Sequence, residues 1–252
     1  MNSIIRKILP ITVIIIIWLS LTLTETIRPI FVPGPQHLWK ALVGLKGILP
    51  RATFISLSMT LAGFGIGISA GVGLAFIMAY SKVFLDLLGP AFEFSRPIPI
   101  FALIPLFILW FGIGRLPQVL FIGLGVAGIM GVNTQEAIKN MPSIYLKASY
   151  NLGANKKRVY RTIILPYIFP HLIGTIRFAA AASWGLEVAA EFMGSQAGLG
   201  FNMIVQQVYL NTSGIIILVI IYCAMAIIFD MIIGKIEVRL TRWTERHISE
   251  SI

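Results

Sequence analysis

Two carboxylates stand out before any other feature. Glu187 and Glu191 lie four residues apart in an otherwise apolar run, so on a helix they share one face. Such a pair either meets a Lys, Arg or hydroxyl at a helix end or lines a polar path, because a charged side chain in hydrocarbon costs about 2.5–3.5 kcal/mol on insertion scales. Ser69 sits in Gly67-Ile-Ser-Ala-Gly71, which fits the nucleophile pattern of a hydrolase. His37, His171 and His247 all lie in or near loops, and the sequence places none of them beside Ser69 as a base. Gly123-Leu-Gly-Val-Ala-Gly128 has the spacing of a dinucleotide fingerprint but no preceding strand and no acid at the required distance. There is no Gly-x-x-x-x-Gly-Lys-[Ser/Thr] phosphate loop and no His/Cys/Asp/Glu grouping with metal-ligand spacing. The single cysteine, Cys223, reads as a small core residue that forms no intrachain disulfide. The expectation is therefore a protein without catalytic residues, metal or cofactor.

The elements that carry these residues are membrane helices. Of 252 residues 57% are hydrophobic and 12% charged, against roughly 45–50% and 25% in a soluble domain, and the mean hydropathy is +0.88. The apolar residues gather into uncharged runs near 8–24, 54–80, 98–113, 117–134, 172–193 and 214–234. A span needs about 20 helical residues, and in lipid an open strand leaves its backbone unsatisfied. The fold expected is all-α, with six transmembrane helices in a single domain over 1–252. The first run ends in Thr24-Glu25-Thr26, without a small-residue cleavage site, and reads as an uncleaved helix.

The net charge of +10 belongs to a membrane surface and not to nucleic acid. With alternating spans and a cytoplasmic N-terminus, fourteen Lys and Arg fall inside and five outside: Arg28, Lys40, Lys46, Arg51 and Arg115. This bias predicts a multi-pass plasma-membrane protein with both termini in the cytoplasm. The inside loop 136–166 carries six of these charges, and Leu146, Leu152, Val159 and Ile163 recur among its polar residues. Short amphipathic helices at the cytoplasmic face are expected, held by anionic headgroups or by a protein partner. Gly63, Gly67 and Gly71 form a smooth stripe on which a neighbouring backbone can ride. Pro97, Pro99 and Pro105 are positioned to bend the third span.

Within the inside loop, Lys147-Ala148-Ser149, Gly153-Ala154 and Ile163-Ile164-Leu165-Pro166 resemble the loop signature of ABC importer permeases, Glu-Ala-Ala-x3-Gly-x9-Ile-x-Leu-Pro. Five of seven fixed positions agree; Lys147 replaces the Glu and Ser149 the second Ala. The stretches Arg96–Gly114 and Trp184-Gly-Leu-Glu-Val-Ala-Ala-Glu191, followed by Gly198-Leu-Gly200, are similar to the nitrate/sulfonate/taurine/bicarbonate branch. Glu191 matches an acidic position of that branch, whereas Glu187 has no counterpart.

The resemblance implies a methionine-importer-like, type I permease that transports and is not an enzyme. Its implied partners are a second permease copy, an extracytoplasmic substrate-binding protein and ABC ATPase subunits. The loop helix, about Ala148–Arg158, would dock on the ATPase with Gly153 at the tight turn. Glu187, Glu191, Arg96 and Trp184 are the candidates for the pathway or the interface between copies, with transport by alternating access. The solute implied is small, such as a sulfonate, nitrate or a vitamin precursor; Arg96, Arg115 or Arg177 would suit an anion. The rival readings are a stand-alone carrier or channel and a membrane-embedded serine hydrolase built on Ser69.

Overall fold

The computed structural model describes residues 3–24 and 27–240. His247 and both chain ends lie outside the described residues, as do Glu25, Thr26 and two of the fourteen inside charges, Arg242 and Arg246. Eleven α-helices are found among the described residues: α1 (Ser3–Leu23), α2 (Pro35–Leu45), α3 (Leu49–Tyr80), α4 (Lys82–Ser95), α5 (Ile104–Phe111), α6 (Arg115–Lys139), α7 (Ser143–Asn151), α8 (Lys156–Val159), α9 (Leu165–Phe192), α10 (Leu199–Val208) and α11 (Thr212–Leu240). A 3-10 turn, Ile100–Leu103, precedes α5, and a π-helical turn, Tyr160–Ile164, joins α8 to α9. Four helical stretches are long and apolar enough to cross a membrane, 49–80, 115–139, 156–192 and 212–240. The helix pair Val83–Ser95 and Ile100–Phe111 adds a fifth if it is taken as one broken span, and α1 contributes the shorter apolar stretch Thr12–Leu23.

The chain divides into two compact units, and α3 and α11 contribute to both. The first comprises the described residues up to Ser56 together with Gln196–Ala224. Here Gly34 precedes Pro35 at the start of α2, and a proline in the first turn sacrifices no helical hydrogen bond. Gly198, at φ +114, takes a backbone conformation that L side chains rarely adopt and opens α10. The next residue, Leu199, is fully buried and donates its N–H to Ser56 Oγ at 2.9 Å. Thr212 Oγ1 likewise donates to the Ile30 carbonyl.

The second unit is built around α6. Phe121, Ile122, Val126 and Met130 on this helix are wholly buried, and α9 packs along it. The glycine stripe of α3 lies against it with almost no gap. A Cβ built on Gly63 would stand 2.6 Å from Ile122 Cβ, one on Gly67 2.5 Å from Val126 Cβ, and one on Gly71 2.5 Å from the Ala127 carbonyl. Gly65 and Gly73 point into open space and take no part. Two of the glycines that imitate a dinucleotide fingerprint serve packing: Gly123 lies against Gly63 and Ile66 of α3, and Gly125 receives Leu186 of α9; further along α6, Gly131 receives the ring of Phe92 from α4. Phe107 of α5 stands edge-on to Phe121 at 5.4 Å. Around Phe229 of α11, Phe64 of α3 and Trp184 of α9 pack edge-to-face at 5.4 and 5.9 Å.

Several expectations are corrected. The third span, expected at 98–113, is instead the 3-10 turn and eight-residue α5, set at 99° to α4. The reason is local: Pro97 and Pro99 lack backbone donors, α4 stops at Ser95, and Pro99 itself is extended at φ -68, ψ 109. Cys223 is exposed on α11 and not in the core. The loop helix does not run through Ala148–Arg158; the chain folds as α7, a turn and α8. Helices α2, α4 and α10 have no counterpart among the expected spans.

Replacing Gly67 by Leu should cost about 1–3 kcal/mol, the usual penalty of overpacking, because its Cβ would enter the space of Val126. Gly65→Leu on the opposite face should leave stability unchanged. Unfolding midpoints of the purified protein in detergent check the pair.

Candidate functional site

The inside loop is a helix–turn–helix whose geometry follows from three residues. Helix α7 ends at Asn151 with Leu152 as its cap, and Gly153 then adopts φ +77. The Gly153 N–H donates to the Tyr150 carbonyl at 2.9 Å and the Ala154 N–H to the Ser149 carbonyl at 3.0 Å. These two bonds form a Schellman motif, which closes a helix and needs a left-handed residue at the position Gly153 holds. Two residues on, the Asn155 side chain accepts from the Arg158 N–H at 2.9 Å and starts α8. Ser149 is buried and donates its hydroxyl to the Leu146 carbonyl at 2.8 Å. Lys147 and Ala148 are exposed, as are Ile144, Tyr145 and Tyr150, and Leu152 is 88% exposed. Ala154, Ile163 and Leu165 are half-buried, and Pro166 occupies the first turn of α9. The loop thus shows the outside an apolar and aromatic surface bordered by cations.

The two acids fall elsewhere. Glu187 and Glu191 are both 0% exposed on α9, one helical turn apart, with Trp184 on the same helix 5% exposed. Arg96 is not among the buried residues around them: its side chain is about half exposed and forms an ion pair with Glu136 at the end of α6. Beside it, Lys139 reaches Glu93 at 3.4 Å. The residues grouped as pathway candidates therefore separate into a buried group, Trp184, Glu187 and Glu191, and a half-exposed ion pair.

Arg96 borders a groove of about 790 Å³ between α4, α6 and α9. Phe92, Phe101, Leu124 and Leu186 line it, with Gly128 and Gly185. Neither glycine has any atom within 4 Å of an added Cβ, so their missing side chains open part of the groove. Two of its polar donors are engaged within the chain: Ser95 Oγ donates to the Phe92 carbonyl at 2.8 Å and Asn133 Nδ2 to the Ile129 carbonyl at 2.7 Å.

A further cluster escaped the sequence reading. Arg177 of α9 makes a two-pronged pair with Asp230 of α11, both contacts 2.8 Å, and reaches Glu237 at 3.3 Å. The fork of the guanidinium matches a carboxylate in this way, which a lysine cannot do. Gly234 lies beside it, where an added Cβ would make ordinary contact with the guanidinium at 3.7 Å. Asp230 lies in an apolar run, and that position was the available signal.

Hydrolase chemistry has no support in this geometry. Ser69 lies in mid-helix on α3 and donates to the Gly65 carbonyl at 2.8 Å, whereas the nucleophile pattern requires a strand–turn–helix elbow.

Long apolar helices, an exposed helical loop and buried acids define a polytopic membrane transport component. The chain belongs to the family described as the binding-protein-dependent transport system inner membrane component, whose model matches residues 63–242. It is 26% identical over 238 residues to the taurine transport system permease protein TauC of Escherichia coli, covering 92% of this chain and 86% of TauC. It is 27% identical over 234 residues to the putative aliphatic sulfonates transport permease protein SsuC of Bacillus subtilis, covering 92% and 84%. In fold it is similar to a chain of the inward-facing MetNI methionine ABC transporter, with a TM-score of 0.63, 20% identity, and coverage of 81% of this chain and 99% of that one. The protein is an ABC importer permease subunit of the inner membrane, multi-pass and not an enzyme.

Replacing Arg177 by Met should lower the unfolding midpoint, since Asp230 loses its two-pronged partner, and Asp230→Leu should lower it less, because Arg177 keeps Glu237 at 3.3 Å. The double variant should recover part of the loss. A double-mutant cycle on the purified protein measures the coupling.

Proposed function

We propose that the chain, as one permease domain, forms half of the solute path of an ATP-driven importer. A second copy supplies the other half, an extracytoplasmic binding protein delivers the solute, and ABC ATPase subunits dock on α7 and the turn at Gly153. The observation that carries this reading is the exposed α7 surface, with Leu152 at its end 88% exposed, held in place by the Schellman turn at Gly153. An apolar surface of that kind at a charged loop fits a protein partner better than headgroups. Lys147 is exposed where the signature has Glu, so the complementary ATPase groove is acidic there. Both termini are cytoplasmic and the loop lies on the same side, following the distribution of Lys and Arg.

The solute is a small organic anion of the sulfonate type. Support comes from the likeness to permeases named for taurine and aliphatic sulfonates. Transport proceeds by alternating access: closure of the ATPases displaces the loop, and the core helices exchange an inward for an outward opening. Glu187 and Glu191, covered in the present conformation, border the path when the helices separate. A stand-alone carrier or channel would give the exposed α7 surface no use.

Gly153→Trp puts a side chain on left-handed backbone, a strain of about 1–2 kcal/mol, with no neighbour within 4 Å to clash. It should abolish ATPase association and ATP-coupled uptake while leaving membrane insertion intact, and Gly153→Asn should be milder because Asn tolerates this backbone. Affinity purification through the permease reads the result; full recovery of ATPase with Gly153→Trp would refute the dock.

A cysteine at position 191, in a background with Cys223→Ser, should react with a small water-soluble thiol reagent in at least one nucleotide state of the assembled transporter. Absence of labelling in every state, with normal uptake by Glu191→Leu, would remove Glu191 from the path.

A further inference from the structure

The segment that follows the dock is tied to α3 at one place. Tyr160 opens the π-helical turn between α8 and α9, a widened geometry that interrupts the regular ladder of a helix and often marks functional positions. Its Oη donates to the Phe76 carbonyl of α3 at 2.7 Å, a contact across 84 positions of sequence. Its ring stands edge-on to Phe76 at 6.1 Å and to Tyr80 at 5.4 Å. Lys156 of α8 places Nζ 4.6 Å from the centre of the Tyr80 ring, a cation–π contact. Val159 beside it is 2% exposed, so α8 is anchored at this point as well.

We infer that Tyr160 is a positioning residue that carries displacement of α7 and α8 to the last turns of α3. Two routes lead out of the dock. The covalent one runs into α9 through the π turn, where the hydrogen-bond ladder changes register and a push along the axis is partly absorbed. The lateral one runs through Tyr160 to the backbone of Phe76 and the ring of Tyr80, and it engages α3 by hydrogen bond, ring contacts and a cation at once. From there the motion reaches α6, because Gly63, Gly67 and Gly71 hold the two helices backbone to backbone. Smooth glycine faces permit sliding along the helix axes while resisting separation, which suits a helix moved from one end. The inference rests on the reading of α7 as the ATPase dock.

The test uses the complete transporter, with its ATPase subunits, in nanodiscs. Ile77, 46% exposed on α3, is replaced by Cys in a Cys223→Ser background, and its reaction with a small thiol reagent is timed with and without trapped nucleotide. The native Tyr160 should give a nucleotide-dependent change in rate. Tyr160→Phe, which removes a single hydrogen bond, should diminish that change by about fivefold. Tyr160→Ala should abolish it, and Tyr80→Leu, a milder change to the same contact, should weaken it. All variants should retain ATPase subunits and ATP hydrolysis. A full change in rate with Tyr160→Ala, or no change with the native residue, overturns the inference and leaves the dock standing. Loss of ATPase from Tyr160→Phe also overturns it, by making Tyr160 part of the dock. Failure of the dock itself is seen separately, as ATPase retained by Gly153→Trp.

Discussion

The second unit depends on the near-contact of two backbones. Where Gly63, Gly67 and Gly71 meet α6, a single added carbon would lie about as close to the facing atoms as two bonded partners of a short hydrogen bond, so the helices cannot be approximated by side chains of any size. In a bilayer this is the available way to hold helices together, because lipid tails are as apolar as leucine and burial of apolar surface alone gives little preference. Once α3 is fixed on α6, the wholly buried Phe121, Ile122, Val126 and Met130 determine where α5 and α9 rest. The site follows from that frame: the groove beside Arg96 is bounded by the same helices, and Gly128 and Gly185 leave it open where Gly125 and Gly131 elsewhere on α6 admit a neighbour's side chain.

What was legible in the sequence was whatever a periodic or compositional rule expresses. Long apolar runs gave the spans that became α3, α6, α9 and α11, and the glycine spacing gave the face on which α3 packs. Gly153 was expected at the turn from the likeness to the permease loop signature, and its left-handed backbone gives the physical reason for glycine there, although the helix it closes begins earlier than expected, at Ser143. Helices α2, α4 and α10 were hidden for a common reason: at 11, 14 and 10 residues they are too short to register as spans of about 20 residues. The broken segment around Arg96–Pro99 shows the opposite failure. Its composition is that of a membrane span, but prolines decide backbone direction independently of hydropathy.

The charged residues divide along the same line. Glu187 and Glu191 could be noticed because a carboxylate in an apolar run is rare, yet their complete burial by their own chain is a property of packing that no spacing rule encodes. Arg177 was read as a residue that would suit an anion until Asp230 and Glu237, more than fifty residues away, were seen to answer it. Arg96 was grouped with the acids on chemical plausibility and turned out to answer Glu136 instead. Partner choice among charges is set by long-range contacts, and sequence order carries little of it.

These assignments bear on how a protein without chemistry of its own does work. Two of its polar donors at the groove are engaged within the chain, and the side chains that could hold a solute tightly are few. On the proposed reading, a path lined in this way holds no solute strongly midway, and selectivity lies in the component that delivers it. Mechanical input then has to arrive at a surface and reach the packed helices without dissipating. On the proposed reading the exposed end of α7 is that surface, and α3, seated on α6 through glycine, is the element that receives the motion. The close packing is supplied by Gly63, Gly67 and Gly71 on the face that meets α6, while Gly65 and Gly73 face open space; on the inference above, the same smooth face lets α3 shift along α6 without separating from it.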